Sequence, residues 1–345
     1  MSGLTLADVS LPLREPLGTA KGEITSRDGW LVGVERDGQR GIGEATPLPG
    51  WTESHEECGE TLRGLAAEWP FAGELTSPAV RHGVTLALHD AAARESGAPL
   101  GRHLAGPDAP VADSVPVNAT IGDAVITETV ERAESAVNAG YGTLKLKVGV
   151  RDPEEDVARL RAVREAVGAG VTLRADANGA WDYTTARDVV VELADVGVEY
   201  VEQPVPATEL GALSSLRGRG VGVAVDESLA EFGVREVVEA DAADTLILKP
   251  MALGGPESTL RAAGKARTAG VSSVVTTTID GAVARAAAVH VAACLPGDRA
   301  HGLATADLLA EDVGPDPVPV VDGRISVPEG PGVVGDRFDS LVWDD

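Results

Sequence analysis

A chain of 345 residues is long enough for two or three domains around a large core, which excludes a peptide or a disulfide miniprotein. It carries 54 Asp and Glu against 29 Lys and Arg, a formal charge of −25 that would repel nucleic acid and anionic membrane. A hydrophobic content of 43% is that of an ordinary globular protein, so the acidity coats a folded body and does not mark disorder.

Residues 1–50 read as short strands with glycine turns: LTLADVSLPL, then WLVGVERDG, then GQRGIGEATPLPG, with Arg36, Asp37 and Gly38 as a hairpin turn. Thr52, Glu53 and Ser54 are start signals for a helix running towards Trp69. Ser77 and Pro78 open another through Ala79 to Glu95, stopped by Gly97. Strands followed by helices predict an α+β unit, and the cluster from Gly106 to Pro110 marks a boundary.

From Val115 the grammar changes to short β-branched runs alternating with Ala-rich amphipathic stretches, the rhythm of a parallel sheet. The strand candidates are VPVNATI from 115, TLKLKV from 143, VTLRAD from 171, VEYVEQ from 198, VGVAVD from 221, TLILKP from 245, SSVVTT from 272 and HGLAT from 301. Eight strands fit a closed barrel, and no GxGxxG stands between a strand and a helix to favour a doubly wound sheet. The predicted fold class is α/β: an N-terminal α+β capping domain over 1–110, a modified TIM-type (β/α)7β barrel over 111–312, and a tail over 313–345 that packs back on the cap.

Five of these strands end in a charged residue: Lys147, Asp176, Glu202, Asp226 and Lys249, spaced 29, 26, 24 and 23 residues apart. Each gap is one βα unit. In a parallel barrel all strand C-termini open on one face, so the five are expected around one mouth. Three carboxylates converging there cannot all stay ionised without a cation. An all-oxygen set with open positions suits Mg²⁺, with Mn²⁺ an acceptable substitute, so Asp176, Glu202 and Asp226 are the expected ligands. Taken singly, each carboxylate could equally cap the following helix.

On TLKLK, Lys145 and Lys147 share a face while Leu144 and Leu146 point the other way. The chain has only five lysines, at 21, 145, 147, 249 and 265, against 24 arginines, and three of the five fall at predicted strand ends. A neighbouring cation lowers a lysine pKa towards use as a base, which gives Lys145 the role of tuning Lys147. A metal beside such a base defines a reaction class in which the proton next to a substrate carboxylate is removed and the developing enediolate charge meets the cation. Lys249 approaches from the opposite side as second acid or stabilising cation.

The near-exclusion of lysine together with the acidic surface is expected of a halophilic archaeal cytoplasm, an ordinary acidic protein being the alternative. Cys58 and Cys294 sit in no metal-type spacing and are expected as buried thiols. MSGLTLADVSLPLR has no basic start followed by an apolar stretch, and no window supplies a membrane span, so a soluble cytoplasmic protein is expected. The expected partner is a small carboxylate substrate, with neither nucleic acid nor membrane; oligomeric state is left open.

These residues resemble the enolase superfamily, and within it the o-succinylbenzoate synthases. The motifs that carry the resemblance are TLKLKVG (143–149), LRADANGAW (173–181), VEQP (201–204), VDES (225–228) and LILKP (246–250), with TSRDGWLVGVERDGQRGIGEATPLPGW (25–51) in the first domain. The resemblance implies Asp176, Glu202 and Asp226 as Mg²⁺ ligands, Lys147 as acid and base, and Lys249 as a cation over the substrate ring. The implied reaction is the dehydration of 2-succinyl-6-hydroxy-2,4-cyclohexadiene-1-carboxylate to 2-succinylbenzoate, a step towards menaquinone. Thr276, Thr277 and Thr278 are candidates for the succinyl carboxylate, Arg174 and Asn178 for further substrate contacts at the mouth, and Gly18 to Arg27 for a covering loop, Arg27 being otherwise a plain surface charge. A dipeptide or N-acylamino acid epimerase is the main alternative, since two facing lysines also suit a racemase and Asp280 could hold a substrate ammonium. Muconate cycloisomerase-like chemistry and a barrel that only binds a ligand stay open.

Overall fold

The computed structural model describes residues 3–19, 22–36, 38–70 and 73–342. β1 (Leu4–Thr19), β2 (Gly22–Arg36) and β3 (Gln39–Ala45) form an antiparallel sheet in chain order. α1 (His55–Ala67) starts at Ser54, whose side chain accepts from the Glu57 backbone N–H while the Glu57 carboxylate takes the Ser54 N–H. α2 (Pro78–Glu95) begins with a proline at its first turn, and the Glu53 carboxylate accepts from the Ala79 and Val80 N–H groups. α2 lies directly on β3, an approach that depends on glycine: a Cβ on Gly43 would sit 1.9 Å from the Gly83 carbonyl oxygen. The short α3 (Leu100–Ala105) follows.

The second part is a curled parallel sheet wrapped by helices. VPVNATI, expected as one strand, divides into β4 (Ser114–Pro116) and β5 (Ala119–Ile121). Pro116 has no N–H to donate, and the chain changes partner there: β4 pairs antiparallel with a late strand while β5 joins the parallel sheet. After β5 come α4 (Ile126–Asn138), β6 (Thr143–Lys147), α5 (Pro153–Val167), β7 (Thr172–Asp176), α6 (Tyr183–Val196) and β8 (Val198–Glu202). They are followed by α7 (Leu210–Leu216), β9 (Gly222–Val225), α8 (Ser228–Glu239), β10 (Thr245–Leu248), α9 (Pro250–Leu253), α10 (Pro256–Thr268), β11 (Ser272–Val275) and α11 (Ala282–Ala293). Strands β5 to β11 neighbour one another in sequence order. The eighth predicted strand, HGLAT, is reduced to two parallel bridges, His301 with Val117 and Gly302 with Thr276, which join the two edges of the sheet.

The alternation along each strand sorts the side chains. Leu144, Leu146, Leu173, Ala175, Val201, Val223, Val225, Leu246 and Leu248 face outward into one core with Val157, Leu160, Val190 and Leu193 of the helices. Inside the barrel Tyr200, Ala224, Ile247 and Val274 make a small apolar layer. Burying each outward leucine contributes roughly 1.5–3 kcal/mol, so the strand register is held from outside while the inward positions stay free for polar groups. In the tail, β12 (Val320–Val321) and β13 (Arg324–Ser326) extend from β4. The Val333 N–H donates to Asp90 of α2, and Asp339 pairs with Arg94 at 2.7 Å.

The antiparallel sheet is pinned to the barrel by two buried charges. Arg27, 3% exposed, donates to the carbonyls of Thr278, Pro47 and Thr46, which corrects the alternative that it is a surface charge. The rest of the expected covering loop is a continuation of the β1–β2 ladder, with Gly18 opposite Glu23 and Thr19 opposite Gly22; Ala20 and Lys21 lie outside the described residues, as does Asp37 of the expected turn. Glu44, fully buried, accepts from the Gly281 and Ala284 N–H groups at the start of α11. Burial, and then the charge of Asp280, push its carboxyl up to about 7. Between the ordinary carboxyl range and that value the folded chain keeps a proton the unfolded chain has released, so the free energy of unfolding falls as pH rises through this window. Urea unfolding between pH 5 and 7.5 should show this decline, and Glu44→Gln should make it shallower, the remainder coming from the other raised carboxyls.

Candidate active site

The strand register alone brings three of the expected residues together, since Lys147 is the partner of Asp176 across β6 and β7, and Asp176 that of Glu202 across β7 and β8. Asp176 Oδ2 accepts from Lys145 at 2.9 Å and from Lys147 at 2.7 Å, so both ammonium groups share one carboxylate oxygen. Lys145 also reaches Glu202 Oε1 at 3.0 Å. One unit further round, Lys249 donates to Asp226 Oδ2 at 2.6 Å. Asp176, Glu202 and Asp226 are 1%, 2% and 3% exposed, whereas the Lys147 side chain is 34% exposed and therefore faces the opening.

Charge balance decides the ionisation of this group. Burial would raise the carboxyl of Asp176, but the two lysines overcome it and hold it well below the usual range. Glu202 is pushed up, first by burial and then by the charge of Asp176, and Asp226 is pushed up by burial against the opposing pull of Lys249. Burial lowers Lys145, yet Asp176 and Glu202 raise it well above its ordinary value and keep it an ammonium.

Several neighbours not singled out in the sequence complete the site. Trp51, in the stretch between β3 and α1, places its ring 3.3 Å from Lys249 Nζ, an aromatic face on the cation. The Gln203 side-chain Oε1 accepts from the Asp226 and Ser228 N–H groups, and its Nε2 donates to Val205 O and Ser228 Oγ, which fixes the turn carrying Asp226. Asn178, expected to touch substrate, accepts from Lys147 at 2.7 Å and donates to Glu227 at 2.9 Å, so it orients the lysine. Asn178, Gln203 and Ile279 all have positive φ, at 45°, 40° and 60°, a left-handed backbone kept at three turns of the mouth. An aromatic or amide carries no periodic signature, and only their contacts reveal them.

Other expected positions lie elsewhere. Arg174 points to the barrel floor, where it pairs with Glu199 at 2.7 Å, donates to Asn118 and Ala300 O, and stacks on Tyr200. It shares the inward face of β7 with Asp176 but sits two residues nearer the strand's start, which takes it away from the mouth. The threonine hydroxyls are engaged within the chain: Thr276 donates to Gly302 O, Thr277 bonds Thr305, and Thr278 donates to Asp280. Asp280 is 2% exposed and is faced by Arg27.

Asp226 Oδ1 and Glu227 Oε2 are buried with no hydrogen-bond partner. Among the described residues no three His, Cys, Asp or Glu side chains converge on one point, because ammonium groups stand between the carboxylates. An all-oxygen donor set with a partnerless buried carboxylate oxygen fits a hard divalent cation.

Residues 128–335 match the Enolase C-terminal domain-like family, and residues 1–91 match the MenC N-terminal domain. The chain belongs to the enolase superfamily. Muconate cycloisomerase 1 of Rhodococcus opacus is 35% identical over 72% of this chain and 67% of that one. The o-succinylbenzoate synthase of Thermobifida fusca is 43% identical over 64% of this chain and 68% of its own. The L-Ala-D/L-Glu epimerase of Bacillus subtilis superposes with a TM-score of 0.86 at 26% identity, covering 96% of this chain and 98% of that one. Members of three different activities thus share this superfamily scaffold, and no helix among the described residues is long and apolar enough to cross a membrane.

The Trp51 contact ties the segment between β3 and α1 to this superfamily site and can be measured without substrate. A double-mutant cycle of Trp51→Leu and Lys249→Met, read by urea unfolding, should give a coupling of about 0.5–2 kcal/mol. Additive effects would show that the ring does not hold the ammonium.

Proposed function

We propose that the protein is an o-succinylbenzoate synthase, dehydrating 2-succinyl-6-hydroxy-2,4-cyclohexadiene-1-carboxylate to 2-succinylbenzoate. The observation that carries this reading is the pair of strand-end lysines, Lys147 and Lys249, each bonded to a different member of a buried carboxylate trio. The match of residues 1–91 to the MenC N-terminal domain and the likeness to the Thermobifida synthase support the choice within the superfamily.

Asp176, Glu202 and Asp226 would hold Mg²⁺, or Mn²⁺ in its place, and the ion when bound would supply positive charge to the substrate carboxylate. Lys147 is placed by Asp176 and Asn178, and with the carboxylates holding the ion it would keep Asn178 as its guide. As the free amine it takes the proton from the carbon bearing the carboxylate. The C–O bond of the ring hydroxyl then breaks, and the hydroxide leaves with the proton that Lys147 returns, giving water and an aromatic ring. Lys249, held by Asp226 and Trp51, presents its charge to the developing π system. Lys145 stays an ammonium and fixes Asp176 against Glu202.

The epimerase reading draws on the same two lysines and on the structural likeness to the Bacillus epimerase. It is disfavoured by Asp280, whose charge is already answered by Arg27 and Thr278, which leaves it unsuited to a substrate ammonium. The acidic, lysine-poor composition leads us to propose that activity persists in strong salt.

The deciding assay follows 2-succinylbenzoate formation with Mg²⁺ at high salt. The native chain should turn over, Lys147→Ala should lose about 10²–10⁴-fold in kcat, and a chelator should abolish activity until Mg²⁺ is restored. A native chain that forms no product yet racemises N-succinyl amino acids would overturn the assignment.

A further inference from the structure

His89 on α2 and His103 on α3 share no residue or hydrogen bond with the carboxylate and lysine cluster. His89 Nδ1 lies 3.3 Å from His103 Nε2, and the two rings meet edge to face with centroids 5.5 Å apart. The other nitrogen of His89, Nε2, faces Glu257 Oε2 at the start of α10 at 3.7 Å. The His89 side chain is 24% exposed, so solvent and ions reach the pair.

A carboxylate beside Nε2 favours the tautomer with its proton there, which leaves the Nδ1 lone pair directed at His103. Burial lowers the pKa of both histidines, and each is therefore neutral near pH 7, the form a metal ion takes. The nitrogen separation carries further information. Two zinc–nitrogen bonds of ordinary length spanning 3.3 Å subtend about 105°, close to a tetrahedral angle.

We propose that His89 and His103 bind a borderline transition-metal ion such as Zn²⁺ through Nδ1 and Nε2, with Glu257 orienting His89. His103 then carries its proton on Nδ1, so no net proton is lost at neutral pH. Among the described residues no third His, Cys, Asp or Glu joins the pair, so water completes the coordination and the site is open. The ligands and their carboxylate come from α2, α3 and α10, so the ion would brace the helix packed on the antiparallel sheet against a barrel helix. Binding to the folded chain alone raises its stability.

The test is calorimetric titration of Zn²⁺ into the full chain at pH 7.5 with Mg²⁺ in excess, so that the carboxylate site is already contested. The native chain should bind one Zn²⁺, and Zn²⁺ should raise its thermal midpoint. His89→Gln and His103→Gln, on different helices, should each lose both effects while keeping the native circular dichroism, and Glu257→Gln should bind about 10–100-fold more weakly. Should one histidine variant fail to fold, the other reads the site. Equal Zn²⁺ affinity in the native chain and the folded variants, or no binding by the native chain, would overturn the proposal and leave the pair as two imidazoles sharing a proton.

Discussion

The structure turns on the cost of burying three carboxylates within one barrel mouth. A lone carboxylate in such surroundings would protonate, and three together would repel. Here Asp176, Glu202 and Asp226 are answered by Lys145, Lys147 and Lys249, each within hydrogen-bond distance of at least one of them. The six charges nearly cancel, yet the oxygens are not used up: Asp226 Oδ1 has no partner. A cluster that is balanced but incompletely bonded can exchange an ammonium for another cation at little electrostatic cost.

Holding that cluster in register is the work of its surroundings. Outward leucines and valines fix the strands against the helices, and a one-residue slip would turn every charged side chain into that apolar layer. The turns are set by Gln203 and Asn178, whose amides satisfy backbone and lysine groups while their own backbones adopt positive φ. The antiparallel sheet contributes from above. Arg27 and Glu44 cross from it to the turn after β11 and to the start of α11, more than 200 positions away in the chain, and Trp51, in the segment after β3, reaches Lys249.

Relatives named as a cycloisomerase, a synthase and an epimerase share this scaffold, so activity is decided by the site and not by the fold. Asp280 illustrates this: as an isolated acid after a strand it suits an ammonium, but beside Arg27 and Thr278 it is a structural anion. The same holds for Thr276, whose hydroxyl helps close the barrel at Gly302.

What could be read from the residues was whatever repeats with the backbone. The βα rhythm gave the parallel sheet, and a charge at five successive strand ends gave one mouth, because strand direction and the two-residue alternation fix where such side chains go. The tertiary structure alone decided depth and partnership. Arg174 shares a face with Asp176 yet belongs to the floor, Asn178 serves Lys147, and Trp51 covers Lys249 from the segment between β3 and α1. Height along a strand and contacts across distant segments depend on curvature, closure and packing, which leave no period in the sequence.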